Sequence, residues 1–237
     1  MDAVTRAGYM SYARRGVHQR VVRQAVDIIR DGCVAPAMVC TSWGKDSVVL
    51  LHLVQTYIPD VFVVHVGDEH RDEIDNFSEV ENVYRSAFGL PHYHHIEVAI
   101  GEDSVTQAIN TAGLPYLVRF LGLRMQEQGG RVYALRKFGS IHRYETGDQA
   151  GLWRVCPLIN WTHDDVWAYI AAHDLPYLSF YDRYGPDART SSVYSRRVVY
   201  QNGHGGVNYG RIARLREHSP AFYNRLVAIS PALGAIV

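Results

Sequence analysis

The sequence predicts an α/β fold: a doubly wound, mostly parallel sheet with helices on both faces. Three observations predict it. Short apolar runs at 37–40, 61–66 and 116–120 each lead into a polar or glycine-bearing turn, as buried parallel strands do. The stretches between them carry apolar residues at helical spacing, and that alternation of strand and helix builds a parallel sheet. A chain of 237 residues is long enough for one sizeable core and marginal for two domains. The expected division is an α/β domain over 1–180 and a basic, mostly helical extension over 181–237 packed on it.

Taken in order, Val17 to Arg30 places Val21, Val22, Ala25, Val26, Ile28 and Ile29 on one side of an amphipathic helix. Ala37 to Cys40 is a strand entering the sheet, and Val48, Leu51 and Val54 mark a helix running to about Tyr57. Pro59 breaks the chain before a second buried strand, Val61 to Val66. A polar turn, Gly67-Asp68-Glu69, then leads into a helix near Ile74 to Phe88. His92 to Val98 alternates as an edge strand, with His92 and His94 on one face and His95 on the other. Three histidines invite a metal site, but the spacings of structural zinc are missing. Ser104 to Ala112 is helical and Tyr116 to Phe120 is a strand, whereas 132–142 shows no usable period. Thr162 with Asp165 three residues on signals a helix start, and Val166, Tyr169 and Ile170 form its apolar face before Leu175-Pro176. Trp161 and Trp167 read as core. The run Gly203 to Gly210 reads as a lid or a loose connection, followed by helices around 212–216 and 221–229.

Composition narrows the partners. Formal net charge is zero, so no general pull toward nucleic acid or an anionic membrane is indicated. The charge is uneven, since 181–237 holds eight Arg against three Asp or Glu, a net of +5 that could face an anion or nucleic acid. No apolar run approaches the roughly 20 residues of a membrane span, and the N-terminus lacks the apolar core of a signal peptide. Three cysteines, Cys33, Cys40 and Cys156, form no CxxC pair, and a reduced, cytoplasmic setting is expected.

The chemistry centres on Ser42-Trp43-Gly44-Lys45-Asp46-Ser47, between the first strand and the next helix. Such a loop aims backbone N–H groups at one point, backed by the positive end of a helix. Gly44 allows close approach, Lys45 adds a charge, and Ser42 and Ser47 can donate hydrogen bonds. A third loop, Gly122-Leu123-Arg124-Met125-Gln126-Glu127-Gln128-Gly129-Gly130-Arg131, follows a strand end. Arg124 and Arg131 offer fork-shaped donors to phosphate or sulfate, and Glu127 could orient one of them.

The first string resembles the S-G-G-K-D-S pyrophosphate loop of the PP-loop ATP pyrophosphatase superfamily, with Trp43 in place of a glycine. The third loop resembles G-L-R-x-x-E-S-x-x-R, with Gln128 at the serine position. The string Pro157-Leu158 with Trp161-Thr162, Asp165-Val166-Trp167 and Tyr169-Ile170 resembles the same branch, that of phosphoadenylylsulfate (PAPS) reductases. ATP sulfurylase small subunits and DNA-phosphorothioation pyrophosphatases are kin to it. The resemblance implies a Rossmann-like, adenine nucleotide alpha-hydrolase-like fold, with ATP and Mg²⁺ as cofactors; related enzymes with an iron–sulfur cluster need four cysteines and this sequence has three, so no cluster is expected. It implies catalytic roles for Lys45, Asp46 and Arg124. Nucleotide contacts are expected from Ser42, Trp43, Gly44, Lys45, Asp46, Ser47, Gly67, Asp68, Gly122, Arg124, Glu127 and Arg131, with Asp46 as the candidate Mg²⁺ ligand. Relatives usually show Asp-Thr-Gly at the second loop, where this chain has His65-Val66-Gly67.

Three readings follow. One is an ATP pyrophosphatase that adenylates a substrate, in sulfur transfer to DNA or to a small molecule. Another is a sulfonucleotide reductase, although family members attack with a cysteine in the C-terminal tail and this sequence has none after Cys156. The third is a non-catalytic nucleotide-binding subunit. Expected partners are an adenine nucleotide, a sulfur-donor or modification-system protein, nucleic acid through the basic C-terminal region, and a second copy in a homodimer, with no membrane.

Overall fold

The computed structural model describes residues 1–67, 77–98, 105–126, 130–186, 216, 220–229, 231 and 234, without the side chains of 105, 130, 131, 184, 222, 226 and 229. The chain opens with two helices, α1 (Ala3–Ala13) and α2 (Gly16–Gly32), before the first strand, β1 (Ala37–Thr41). Then come α3 (Lys45–Tyr57), β2 (Phe62–Gly67), α4 (Phe77–Phe88), β3 (Tyr93–Glu97), α5 (Val105–Thr111) and β4 (Val118–Phe120). The second half adds α6 (Gly130–Phe138), β5 (Ile141–Arg143), β6 (Trp153–Val155), α7 (His163–His173), α8 (Phe180–Tyr184) and α9 (Pro220–Ile229). No described helix is long and apolar enough to cross a membrane.

Six strands form one sheet in the order β3-β2-β1-β4-β6-β5. All neighbours are parallel except β5 and β6. From β1 the chain steps outward through β2 to β3, then returns to place β4 on the other side of β1. The strand order therefore reverses between β1 and β4. In open parallel sheets the carboxyl ends at such a reversal form the ligand crevice. Here the segments leaving those two ends are the Ser42–Ser47 loop and the Gly122–Gln126 loop.

Alternation along the strands divides the core in two. Val39, Val63, Val118 and Val155 face the larger cluster, filled by Ala25 and Ile29 of α2, Val80 and Tyr84 of α4, most of α3, and Val166 and Trp167 of α7. Met38 and Val64 face the other side, against Ile109 of α5 and Tyr116. Helix α3 is buried beyond the Val48, Leu51 and Val54 stripe, taking in Val49, Leu50 and Leu53 as well. It is packed between the sheet and α7, so apolar residues are required all round it. Trp161 and Trp167 are buried, as their reading as core requires.

Five elements escaped the sequence reading: α1, α6, α8, β5 and β6. The strand expected from Tyr116 begins only at Val118, and the three histidines lie on or beside the edge strand β3. Among the described residues no group of three His, Cys, Asp or Glu could hold a metal ion. Most of the expected 181–237 extension, including the Gly203–Gly210 run, lies outside the described residues.

Candidate functional site

The loop after β1 is tied to itself by one hydroxyl. Ser47 Oγ accepts the Ser42 N–H at 3.1 Å, donates to the Gly44 carbonyl at 2.9 Å, and lies 3.3 Å from Ser42 Oγ. Thr41 closes the other side, its Oγ1 accepting the Trp43 N–H at 3.1 Å and donating to Ser47 Oγ at 3.4 Å. Gly44 is the N-cap of α3 and supplies no side chain to the cap. The first intrahelical bond runs from the Val48 N–H to the Gly44 carbonyl, so the N–H groups of the first turn of α3 are left for a ligand.

Trp43 behaves differently from the expectation. Its backbone, not that of Gly44, takes the left-handed conformation, at φ 60° against −74° for Gly44. Its side chain is fully buried, with ring centroids 5.9 Å from Tyr84, 6.0 Å from Tyr93 and 6.4 Å from His65. The indole therefore points into the core, while the Trp43 backbone N–H is engaged by Thr41. Neither can contact a phosphate in this conformation; that part of the expected ligand set is corrected to an anchoring position.

Lys45, Asp46 and Arg124 come together. Asp46 Oδ2 lies 2.6 Å from Lys45 Nζ, and Asp46 Oδ1 lies 2.6 Å from Arg124 Nε in an ion pair off the hydrogen-bond line. The two cationic side chains are 8% and 7% exposed, against 24% for the carboxylate. One carboxylate thus balances two cations, and a net positive charge remains at the N-terminus of α3. Arg124 also donates from Nη1 to Gln126 Oε1 at 3.0 Å, and the same oxygen accepts the His163 N–H at 2.5 Å. The guanidinium is thereby referenced to the start of α7. Gly122 runs tight against the loop: a Cβ built there would meet the Asp46 carbonyl oxygen at 3.3 Å.

Gly67 ends β2 beside this cluster. A Cβ on it would fall 2.5 Å from His65 Nε2, while His65 Nδ1 lies 2.9 Å from the Thr41 carbonyl. Asp68, Glu127 and the side chain of Arg131 lie outside the described residues, and Arg131 itself falls in α6. Sequence reasoning missed Thr41 and Gln126. Thr41 was legible as the last polar residue of the strand, and Gln126 as the amide two residues past Arg124.

The arrangement suits a phosphate group: an uncapped helix start with two cations beside it. Asp46 fits Mg²⁺ as well, because that ion is held through one or two carboxylates plus the substrate's phosphates. None of the chain's thiols is poised beside this cluster as a nucleophile. Burial pushes the Cys40 thiol up to about 11 despite the pull of Arg119, burial also raises Cys33, and Cys156 is fully buried.

Residues 36–212 match the sequence model of the phosphoadenosine phosphosulfate reductase domain. The chain belongs to the phosphoadenosine phosphosulfate reductase domain family. It is 30% identical over 158 residues to an adenosine 5'-phosphosulfate reductase of Staphylococcus haemolyticus, covering 61% of this chain and 65% of that one. It is 22% identical over 179 residues to a phosphoadenosine 5'-phosphosulfate reductase of Synechocystis, covering 70% of each. The chain thus spans slightly less than two thirds of the Staphylococcus enzyme. A phosphate complex of the Candida auris PAPS reductase aligns with a TM-score of 0.49 at 15% identity, over 73% of this chain and 90% of that one.

Proposed function

We propose that this family member binds ATP with Mg²⁺ in the Ser42–Ser47 cradle and cleaves it at the α-phosphate, adenylating a second substrate in sulfur transfer. The observation that carries the reading is the Lys45–Asp46–Arg124 cluster over an uncapped helix start, at the point where the strand order reverses. An oxygen of the acceptor forms a bond to the α-phosphorus, the bond to the bridging oxygen breaks, and pyrophosphate leaves with the electron pair. Negative charge grows on that leaving group. In this reading the α3 N–H groups, Lys45 and Arg124 meet that charge, and preorganised donors of this kind are the largest single contribution in many such reactions. Mg²⁺, held by Asp46, would neutralise part of the triphosphate charge. The chain's own contribution is to hold the phosphates in line and keep both cations off solvent.

A second reading is sulfonucleotide reduction, favoured by the names of the curated relatives. The buried Cys156 and the high Cys40 pKa count against a thiolate supplied beside the cradle by the described thiols.

Isothermal titration of ATP with Mg²⁺, PAPS and adenosine 5'-phosphosulfate, followed by a pyrophosphate-release assay, tests the two. The adenylating reading expects ATP to bind, pyrophosphate to form, and Lys45→Ala to lose at least 10²-fold in kcat/KM. Tight binding of a sulfonucleotide with no pyrophosphate from ATP would overturn it.

A further inference from the structure

The segment 130–144 carries Arg131, Arg136, Lys137 and Arg143 with His142 and no Asp or Glu, in a chain whose net charge is zero. Interleaved with them are Tyr133, Phe138 and Tyr144. The structure folds this stretch into α6 and the edge strand β5. Arg136, Lys137 and Arg143 are exposed, and so are two aromatic rings, Tyr133 at 70% and Phe138 at 38%. Phe138 has His142 stacked on it at 4.2 Å between centroids, with Lys137 Nζ 4.9 Å from its ring centre.

A row of cationic and ionisable groups lies beneath. Arg119, Arg154 and His142 are register partners across β4, β6 and β5, on one face of the sheet. Arg119 and Arg154 are 8% and 5% exposed, and neither has a carboxylate partner among the described residues. Arg119 is held by Thr106 Oγ1 and Gln149 Oε1. Arg154 makes one long contact, 3.4 Å from Nη2 to the Gly139 carbonyl, and its buried Nε has no hydrogen-bond partner. Its guanidinium carbon is 5.9 Å from the Phe138 ring centre. Buried cations are ordinarily paired, so two side by side without an acid leave positive potential under an already basic surface.

We infer that the α6–β5 surface binds single-stranded nucleic acid, with the phosphate backbone on Arg136, Lys137 and Arg143 and an unpaired base on Tyr133. Basic side chains alone would suit any polyanion. An exposed aromatic ring set among them, Tyr133, fits an unpaired base, because a duplex keeps its π-faces covered. The inference is independent of the nucleotide reading: ATP binds or fails to bind at the β1 and β4 ends, and that is measured separately.

The test uses the full chain and fluorescence anisotropy with labelled single strands of about 12 nucleotides, DNA and RNA in separate arms, beside a duplex of equal length. Single strands should bind tighter than the duplex, and affinity should fall steeply with salt. Arg136→Glu with Lys137→Glu should lose at least tenfold and flatten the log–log salt slope by about 1.4, or about 0.7 per lost phosphate contact. Tyr133→Ala should lose roughly tenfold with its salt slope unchanged. Preference for RNA or DNA identifies the source of the strand. The inference falls if no strand binds at roughly 50 mM salt, or if duplex binds equally well. It also falls if polyglutamate competes as effectively as the oligonucleotide, which would mark a surface for an acidic polypeptide. Binding abolished by Arg196→Glu with Arg197→Glu but untouched by the α6 changes would likewise overturn it. Circular dichroism checks each fold, and if the double variant is unfolded, Tyr133→Ala and Arg143→Gln decide.

Discussion

Trp43 shows how one residue can hold a loop in shape from within the core. A left-handed backbone costs a non-glycine residue about 1–2 kcal/mol. Burying an indole of roughly 200 Å² at about 25 cal/mol per Å² returns about 5 kcal/mol. The unpartnered Nε1 takes back about 1–3 kcal/mol, and the balance still favours the observed conformation. Trp43→Gly removes both the strain and the anchor. It should lower unfolding stability by about 1–2 kcal/mol in urea titrations and weaken ATP binding, whereas Trp43→Phe should retain most of both. A Trp43→Gly chain as stable and as tight-binding as the parent would show that the ring anchors nothing. The six-residue string was legible in the sequence, but the division of labour inside it was not. Glycine spacing suggests where backbone freedom is needed, yet aromatic partners 41 and 50 residues downstream, Tyr84 and Tyr93, decided that the tryptophan would supply it.

At the scale of elements, the start of α7 ties the N-terminal helices to the core. Thr162 and Asp165 form the reciprocal cap that the sequence predicts, and Asp165 also meets His18 Nδ1 at 3.1 Å and the Tyr12 hydroxyl at 3.2 Å. Burial raises the Asp165 pKa, but hydrogen bonds from His18, Thr162 and Tyr12 outweigh it and hold the carboxyl at about 2. The unfolded chain binds a proton there first, so this contribution is complete above about pH 4 and is lost as pH falls toward 2. Asp165→Asn should flatten that part of the stability profile, and Thr162→Ala should cost about 1 kcal/mol at neutral pH, both read from denaturant midpoints. The long amphipathic helices and the apolar strands were readable because their period extends over several turns or alternations. Strand β6 was not: Trp153-Arg154-Val155 is three residues with an arginine at its centre. Helix α1 has no fully buried residue, and α6 has a weak, basic pattern, so neither displays an apolar face of the usual strength.

For the whole molecule, the seam between α3 and α7 governs the response to pH. His52 Nδ1 lies 2.9 Å from the Tyr169 hydroxyl, and its ring is 5.0 Å from that of His173. Burial, then the neighbouring His173, lowers His52 to about 4, and burial first also lowers His173. A histidine that stays neutral when folded but charges when unfolded gives stability that is full above about pH 6.5 and declines toward pH 4. Allowing for partial solvent contact, the loss from His52 should be about 1–2 kcal/mol. Thermal melts of His52→Gln between those limits should show a shallower decline than the parent, and parallel curves would exclude the histidine as its source. The sheet that this seam supports carries the Ser42–Ser47 and Gly122–Gln126 loops on neighbouring strands, and Gly122 marks where they nearly touch. A single methyl group there would meet backbone, which cannot swing aside as a side chain can. The spacing of the two loops is thus machined into the main chain, and a side chain at Gly122 would have to push one of them aside.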